Sequence, residues 1–148
     1  MGLIMSYALP DDLKDIENEA AWKDRDNPKT LYGMLSRTVQ KFPNHDAVSY
    51  QIFSGPKDRA ETFSWKELYD KSTQAANMFR ALGINETDVV AYVLPNSNET
   101  LLSLLGGAVS GIVAPINPLL EVEQIAAILR DTNAKVVVTL KALSLIHI

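Results

Sequence analysis

Apolar and polar residues change rhythm several times along this chain, and each change marks the edge of an element. Residues 1–29 are polar, interrupted by Pro10 and Pro28, and carry Asp11, Asp12, Asp15, Glu17 and Glu19, the make-up of a lead-in arm. Leu13, Ile16 and Ala20 fall at helical spacing within it, so a short helix is expected, docked to the body by Trp22. Thr30 stands where a helix N-cap would. Leu31, Met34, Leu35, Thr38, Val39 and Phe42 follow at the spacing that builds one apolar stripe, until Pro43 stops it. Residues 47–53 alternate and are rich in β-branched and aromatic side chains, which predicts a strand. Ser54-Gly55-Pro56 turns the chain, residues 57–60 form a solvated loop, and Glu61-Thr62-Phe63 returns as a hairpin partner.

Ser64-Trp65-Lys66-Glu67 is a capping box, in which the Ser hydroxyl accepts from the Glu67 amide and the Glu carboxylate reaches back to the Ser amide. The helix it starts should bury Leu68, Ser72, Ala75, Ala76, Phe79 and Leu82, and Gly83 lies where a left-handed residue would close it. From Val89 to Leu94 the run is apolar without alternation, as expected of a strand covered on both faces of a parallel sheet. Pro95-Asn96-Ser97 breaks it. A helix from Glu99 to Gly111, a strand from Gly111 to Ile116, a helix from Glu121 to Asp131 and a strand from Lys135 to Leu140 complete a βαβαβ unit, whose right-handed crossovers make the strands parallel. The fold class is α/β, with this parallel unit preceded by a helix and a hairpin-like pair, and residues 30–142 form the body.

The ends of the chain stand apart from this pattern. Gly2 with Ser6 satisfies a loose myristoylation template, and Met5 is an alternative start to Met1. Leu143-Ser144-Leu145-Ile146-His147-Ile148 continues no element. It reads as an in-frame translation of a transposon-end adaptor used in sequencing libraries, which would make residues 143–148 foreign and the chain's end accidental; a natural apolar carboxyl terminus is the alternative.

Composition narrows the chemistry. A net charge of −4 offers no basic field to draw nucleic acid or an anionic membrane. The absence of cysteine removes disulfides, thiolate zinc sites and cysteine nucleophiles together, and fits a reducing, cytoplasmic location. No stretch of about 18 apolar residues is present to span a membrane. His45 beside Asp46 lies in a turn where neighbouring side chains seldom share a target, and His147 falls in the foreign-looking tail. The one glycine cluster, Gly106-Gly107-Ala108-Val109-Ser110-Gly111, lacks the lysine and spacing of a phosphate loop; Gly107 and Gly111 are better read as close-approach positions on a helix. Asn96 and Ser97, at the carboxyl end of a central strand, suit either a ligand site or an ordinary turn into an N-cap, with the turn favoured. Asp70, Glu99, Glu121, Glu123 and Asp131 fall on helix faces or ends, and no two are placed as an acid/base couple. Spacing and chemistry alone therefore reach an α/β unit without naming a reaction.

As an ordered string, however, the chain resembles the opening of the adenylate-forming synthetases, which include acyl- and aryl-CoA synthetases, firefly-type luciferases and peptide-synthetase adenylation domains. The resemblance runs from Thr30 to Leu140. It is carried by Phe63-Ser64-Trp65-Lys66-Glu67-Leu68 with Ala75-Ala76, by Leu82-Gly83-Ile84 leading to Asp88-Val89-Val90-Ala91, by Leu94-Pro95-Asn96-Ser97 with Glu99, and by Gly111-Ile112-Val113-Ala114-Pro115-Ile116-Asn117-Pro118. Thr87 and Ile112 depart from the glycine and alanine usual there, at positions without catalytic roles in the family. The resemblance implies the amino-terminal part of an AMP-forming acyl-CoA synthetase, which joins a fatty or aryl carboxylic acid to CoA using ATP and magnesium. It also implies that the phosphate loop, the nucleotide contacts and the catalytic lysine lie beyond Leu140, so that no catalytic, cofactor-binding or metal-binding residue is assigned here and the chain alone is expected to be inactive. Carrier-protein loading, a luciferase-like second step, or a small non-enzymatic α/β binding domain remain the other readings, and the oligomeric state is left open.

Overall fold

The computed structural model describes residues 10–53, 55 and 57–141. The myristoylation template and the tail from Leu143 lie outside the described residues. Helix α1 (Pro10–Glu19) is followed by a single 3-10 turn at Trp22–Asp24, then α2 (Leu31–Lys41), β1 (Asp46–Tyr50), β2 (Glu61–Ser64), α3 (Trp65–Ala81), β3 (Val89–Val93), α4 (Asn98–Ser110), β4 (Ile112–Ile116), α5 (Val122–Asp131) and β5 (Ala134–Thr139).

Local signals explain most of these boundaries. Thr30 caps α2 by accepting from the Gly33 amide at 3.0 Å. The capping box of α3 is complete: Ser64 Oγ accepts from the Glu67 amide at 3.3 Å, and the Glu67 carboxylate accepts from the Ser64 amide and hydroxyl, each at 2.8 Å. Those two donors, the backbone amide first, hold the Glu67 carboxyl below the usual carboxylate range. At its other end the chain turns through Gly83 at φ +85°, a conformation glycine takes without a Cβ penalty. Asn133 takes φ 50° in the tight turn between α5 and β5, the residue type that tolerates the left-handed region best after glycine.

β1 and β2 form an antiparallel pair with Val48 opposite Phe63, while β3, β4 and β5 form a parallel sheet in the order β4-β3-β5. β3, the central strand, is covered on both sides. Phe79, Ile84 and Val90 pack with Ala75, Val136 and Val138 on one face. Ala91, Val93, Ile116 and Ile125 pack with Ile128 and Leu129 on the other, as strand alternation requires. A third cluster, Leu35, Phe63, Leu68 and Leu105, joins α2, α3 and α4 to the hairpin. Each fully buried side chain of this size contributes about 1.5–3 kcal/mol relative to exposure.

Three expectations fail. Trp22 is 78% exposed and docks nothing, and Leu13 is exposed as well. Leu82 is 57% exposed because α3 has ended at Ala81 and the C-cap backbone swings it off the apolar stripe. β1 stops at Tyr50, leaving Ile52 and Phe53 exposed at the hairpin tip. Strand β2 offers only four residues to pair, and the ladder ends where Tyr50 meets Glu61.

Candidate functional site

The amino and carboxyl ends of the parallel sheet carry the polar chemistry of the molecule. At the amino end, Asp88 Oδ2 accepts from the Asn85 amide at 2.9 Å and from Lys135 Nζ at 2.9 Å, and the same ammonium donates to the Gly83 carbonyl at 2.7 Å. The lysine first, and then the Asn85 amide, hold Asp88 below the ordinary aspartate value. This arrangement ties the turn after α3 to β5 through one oxygen of the carboxylate.

The glycine cluster does its work by packing. A Cβ at Gly106 would lie 2.6 Å from the Ala75 Cβ, so α3 and α4 touch there. A Cβ at Gly107 would lie 3.1 Å from Val113 Cγ2 and 3.6 Å from Val90 Cβ, so the same helix also presses on the sheet. At Gly111 a Cβ would meet the carbonyl oxygens of Asp88 and Asn85 at 2.6 and 2.7 Å. The close-approach reading of Gly107 and Gly111 holds, and Gly106 adds a contact that spacing did not single out.

The other candidates stay apart. His45 is an exposed turn residue whose ring lies 5.3 Å from that of Phe42, and Asp46 begins β1. Asp70 pairs with Lys66 at 2.6 Å on the exposed side of α3. Glu121 caps α5 in a box with Gln124, while Glu99, Glu123 and Asp131 are exposed on helices. Among the described residues no three His, Cys, Asp or Glu side chains gather as metal ligands.

At the carboxyl end of β3 the turn Leu94-Pro95-Asn96-Ser97 delivers the chain into α4. Ser97 is the N-cap, its Oγ accepting from the Thr100 amide at 3.2 Å, and the Thr100 hydroxyl donates to the Pro95 carbonyl. The structural role expected for Ser97 is therefore filled. The residue that pattern reading missed is the next one. Asn98 is 2% exposed and its Nδ2 donates to Glu61 Oε2 of β2 at 2.8 Å, so the hairpin is tied to the first turn of α4. A cavity of about 240 Å³ opens beside it, walled by Val48, Tyr50, Tyr92, Leu101 and Leu104. Burial pushes the Tyr92 phenol above its ordinary value, keeping it protonated. No motif marks Asn98, because its burial depends on a partner 37 residues earlier.

Comparison with known proteins places this geometry. A family model described as "AMP-binding enzyme" matches residues 35–147. The chain is 33% identical over 112 residues to the marinolic acid–CoA ligase of Pseudoalteromonas sp. (strain SANK 73390), covering 76% of this chain and 17% of that protein. It is 30% identical over 114 residues to 4-coumarate–CoA ligase 1 of Arabidopsis thaliana, covering 76% of this chain and 19% of that protein. Among solved structures it is similar to a fatty acyl CoA synthetase of Mycobacterium tuberculosis, with a TM-score of 0.64 and 27% identity, over 75% of this chain and 21% of that one. The chain thus spans about a fifth of the length of these relatives.

Proposed function

The chain belongs to the AMP-binding enzyme family, and from that premise we propose that it is the amino-terminal part of an ATP-dependent acyl-CoA synthetase, in which it serves as scaffold and not as the reacting centre. The observation that supports the reading is that one stretch, residues 35–147, matches the family model, while the chain aligns with CoA ligases of fatty and aryl acids over about a fifth of each. In the whole enzyme a carboxylate attacks the α-phosphorus of ATP, pyrophosphate leaves, and the CoA thiol then displaces AMP from the acyl-adenylate. Donors and a magnesium ion aimed at the phosphates would offset the negative charge that builds in those steps.

The described residues do not fit ATP. A phosphate cradle needs free, converging backbone amides, whereas residues 106–110 lie within helix α4 and the Gly111 amide donates to the Gly107 carbonyl. Lys135 is committed to Asp88 and Gly83 at the amino end of the sheet, away from the side where open α/β sheets take ligands. On this reading the chemistry is accelerated by residues elsewhere in a longer polypeptide. The exposed apolar residues at the sheet's rim, Ile112, Val137, Leu140 and Leu119, fit a face that such a polypeptide covers. A cytoplasmic setting is part of the proposal; no helix among the described residues is long and apolar enough to cross a membrane.

Extending the reading frame past Leu140 tests the proposal. A Thr/Ser-Gly-rich loop ending in Pro-Lys, on a protein that turns a fatty or aryl acid, ATP and CoA into acyl-CoA, AMP and pyrophosphate, is the expected result. An extended protein that releases no AMP with any acid of a broad panel would overturn it, and one that loads a carrier-protein thiol in place of CoA would redirect it within the family.

A further inference from the structure

The tip of the hairpin carries apolar side chains where a connecting loop is ordinarily polar. The β1–β2 ladder ends where Tyr50 meets Glu61, and every described residue from 51 to 62 except Gly55 is exposed. Ile52 and Phe53 stand side by side there at 74% and 71% exposure, and neither belongs to a core cluster. The loop that presents them is clasped by its own hydrogen bonds. Gln51 Nε2 donates to the Gly55 and Asp58 carbonyls at 3.0 and 2.8 Å, and the Gly55 amide donates to Asp58 Oδ2 at 2.8 Å.

The charges around the apolar pair are sorted by what they hold. Both carboxylates of the segment accept from protein donors, Asp58 from the Gly55 amide and Glu61 from the Asn98 side chain. Lys57 and Arg59 are exposed and take part in none of the ion pairs among the described residues. Two apolar side chains beside two such cations match a phospholipid bilayer, whose acyl boundary takes the pair and whose headgroup phosphates take the cations. A protein groove is the poorer match. A stable protein interface covers roughly 800 Å² on each partner, and the residues flanking the pair, Gln51, Lys57, Asp58 and Arg59, are polar. The net charge of −4 does not oppose the contact, because at about 0.1 M salt charges more than about 10 Å from the headgroups are largely screened.

We infer that the β1–β2 tip is a membrane-surface contact, in which Ile52 and Phe53 enter the interface of a phospholipid bilayer while Lys57 and Arg59 lie on its headgroup phosphates. The inference is independent of the proposed ligase chemistry, since it concerns where the protein sits and uses residues that no nucleotide step needs.

Flotation of the 148-residue chain tests it, with vesicles of phosphatidylcholine alone and of phosphatidylcholine and phosphatidylglycerol in equal parts. Binding should be weak and reversible, stronger on the mixed vesicles, and reduced there by salt. Ile52→Ser combined with Phe53→Ser should lower the partition coefficient about tenfold on both compositions. Lys57→Gln combined with Arg59→Gln should lower it about fivefold on the mixed vesicles and less on phosphatidylcholine. Both variants change exposed loop positions, so their circular dichroism should match that of the unmodified chain. Phe53→Trp should gain fluorescence quenching by bromine-labelled acyl chains that the native Trp22 and Trp65 do not show. No flotation with either composition would overturn the inference and leave the apolar pair to a protein partner. Equal flotation of the Ile52 and Phe53 variant, or quenching in the unmodified chain, would overturn it by placing the contact elsewhere. A chain without helical circular dichroism would overturn it too, because no hairpin then presents the pair.

Discussion

The two ends of the parallel sheet are held by different means. At the amino end an ion pair and close contact hold the fold: Asp88 holds the Asn85 amide and the Lys135 ammonium, Lys135 also reaches the Gly83 carbonyl, and Gly111 lets the start of β4 lie against the Asp88 and Asn85 carbonyls. At the carboxyl end Ser97 caps its own helix, and beside it the buried Asn98 amide donates to Glu61 of the hairpin. One end is tied by an ion pair and the other by a cap and a buried amide, and a surface pocket lies beside each. In open α/β sheets ligands bind outside the carboxyl ends of the strands, so the pocket beside Asn98 lies on the ligand side.

The comparison can be broken by substitution, and the largest effect belongs to the core next to the amino end. Phe79, 1% exposed, packs with Ile84 and Val90, so Phe79→Ala should cost about 3–5 kcal/mol in a urea melt, and a loss under about 1 kcal/mol would show that this cluster is not where stability resides. Gly111→Ala comes next, at about 3 kcal/mol, the upper end for overpacking, because the new methyl group would meet backbone oxygens that cannot rotate away. A smaller effect is read through pH. Asp88 is held below its ordinary value, so its contribution is fully present above about pH 3.9 and is lost as pH falls through the depressed folded value. Asp88→Asn should therefore be less stable than the unmodified chain at neutral pH, and the gap should close under acid; a gap that persists at the lowest pH would show that the lysine contact is not its source. The smallest effect is expected at the carboxyl end. Asn98→Leu should change stability by less than about 1 kcal/mol, since the apolar side chain removes the unpaired acceptor and the exposed Glu61 carboxylate can return to water.

Legibility in the sequence followed the range of the interaction. Caps are local, and so the Ser64–Glu67 box, the Thr30 cap and the Gly83 turn stand in the structure where the sequence places them. The unalternating run Val89–Val93 required both faces to be covered and became the middle strand of three. The failures depend on distant partners or on where an element stops. Trp22 has the size of a core residue but no surface to meet, Leu82 fits the stripe of a helix that ends one residue earlier, and β1 runs out of partner at Tyr50. At the candidate site the turn at Asn96 and Ser97 was readable, but the residue that matters, Asn98, is buried by the hairpin through Glu61, a contact that no spacing rule encodes.

Pyrophosphate release by the 148-residue chain itself, supplied with ATP, magnesium and a panel of fatty and aryl acids, tests most directly whether it is scaffold or reacting centre. A rate equal to the enzyme-free control for every acid is the expected result; release above that control with any acid would contradict the scaffold role and require a phosphate site among these residues.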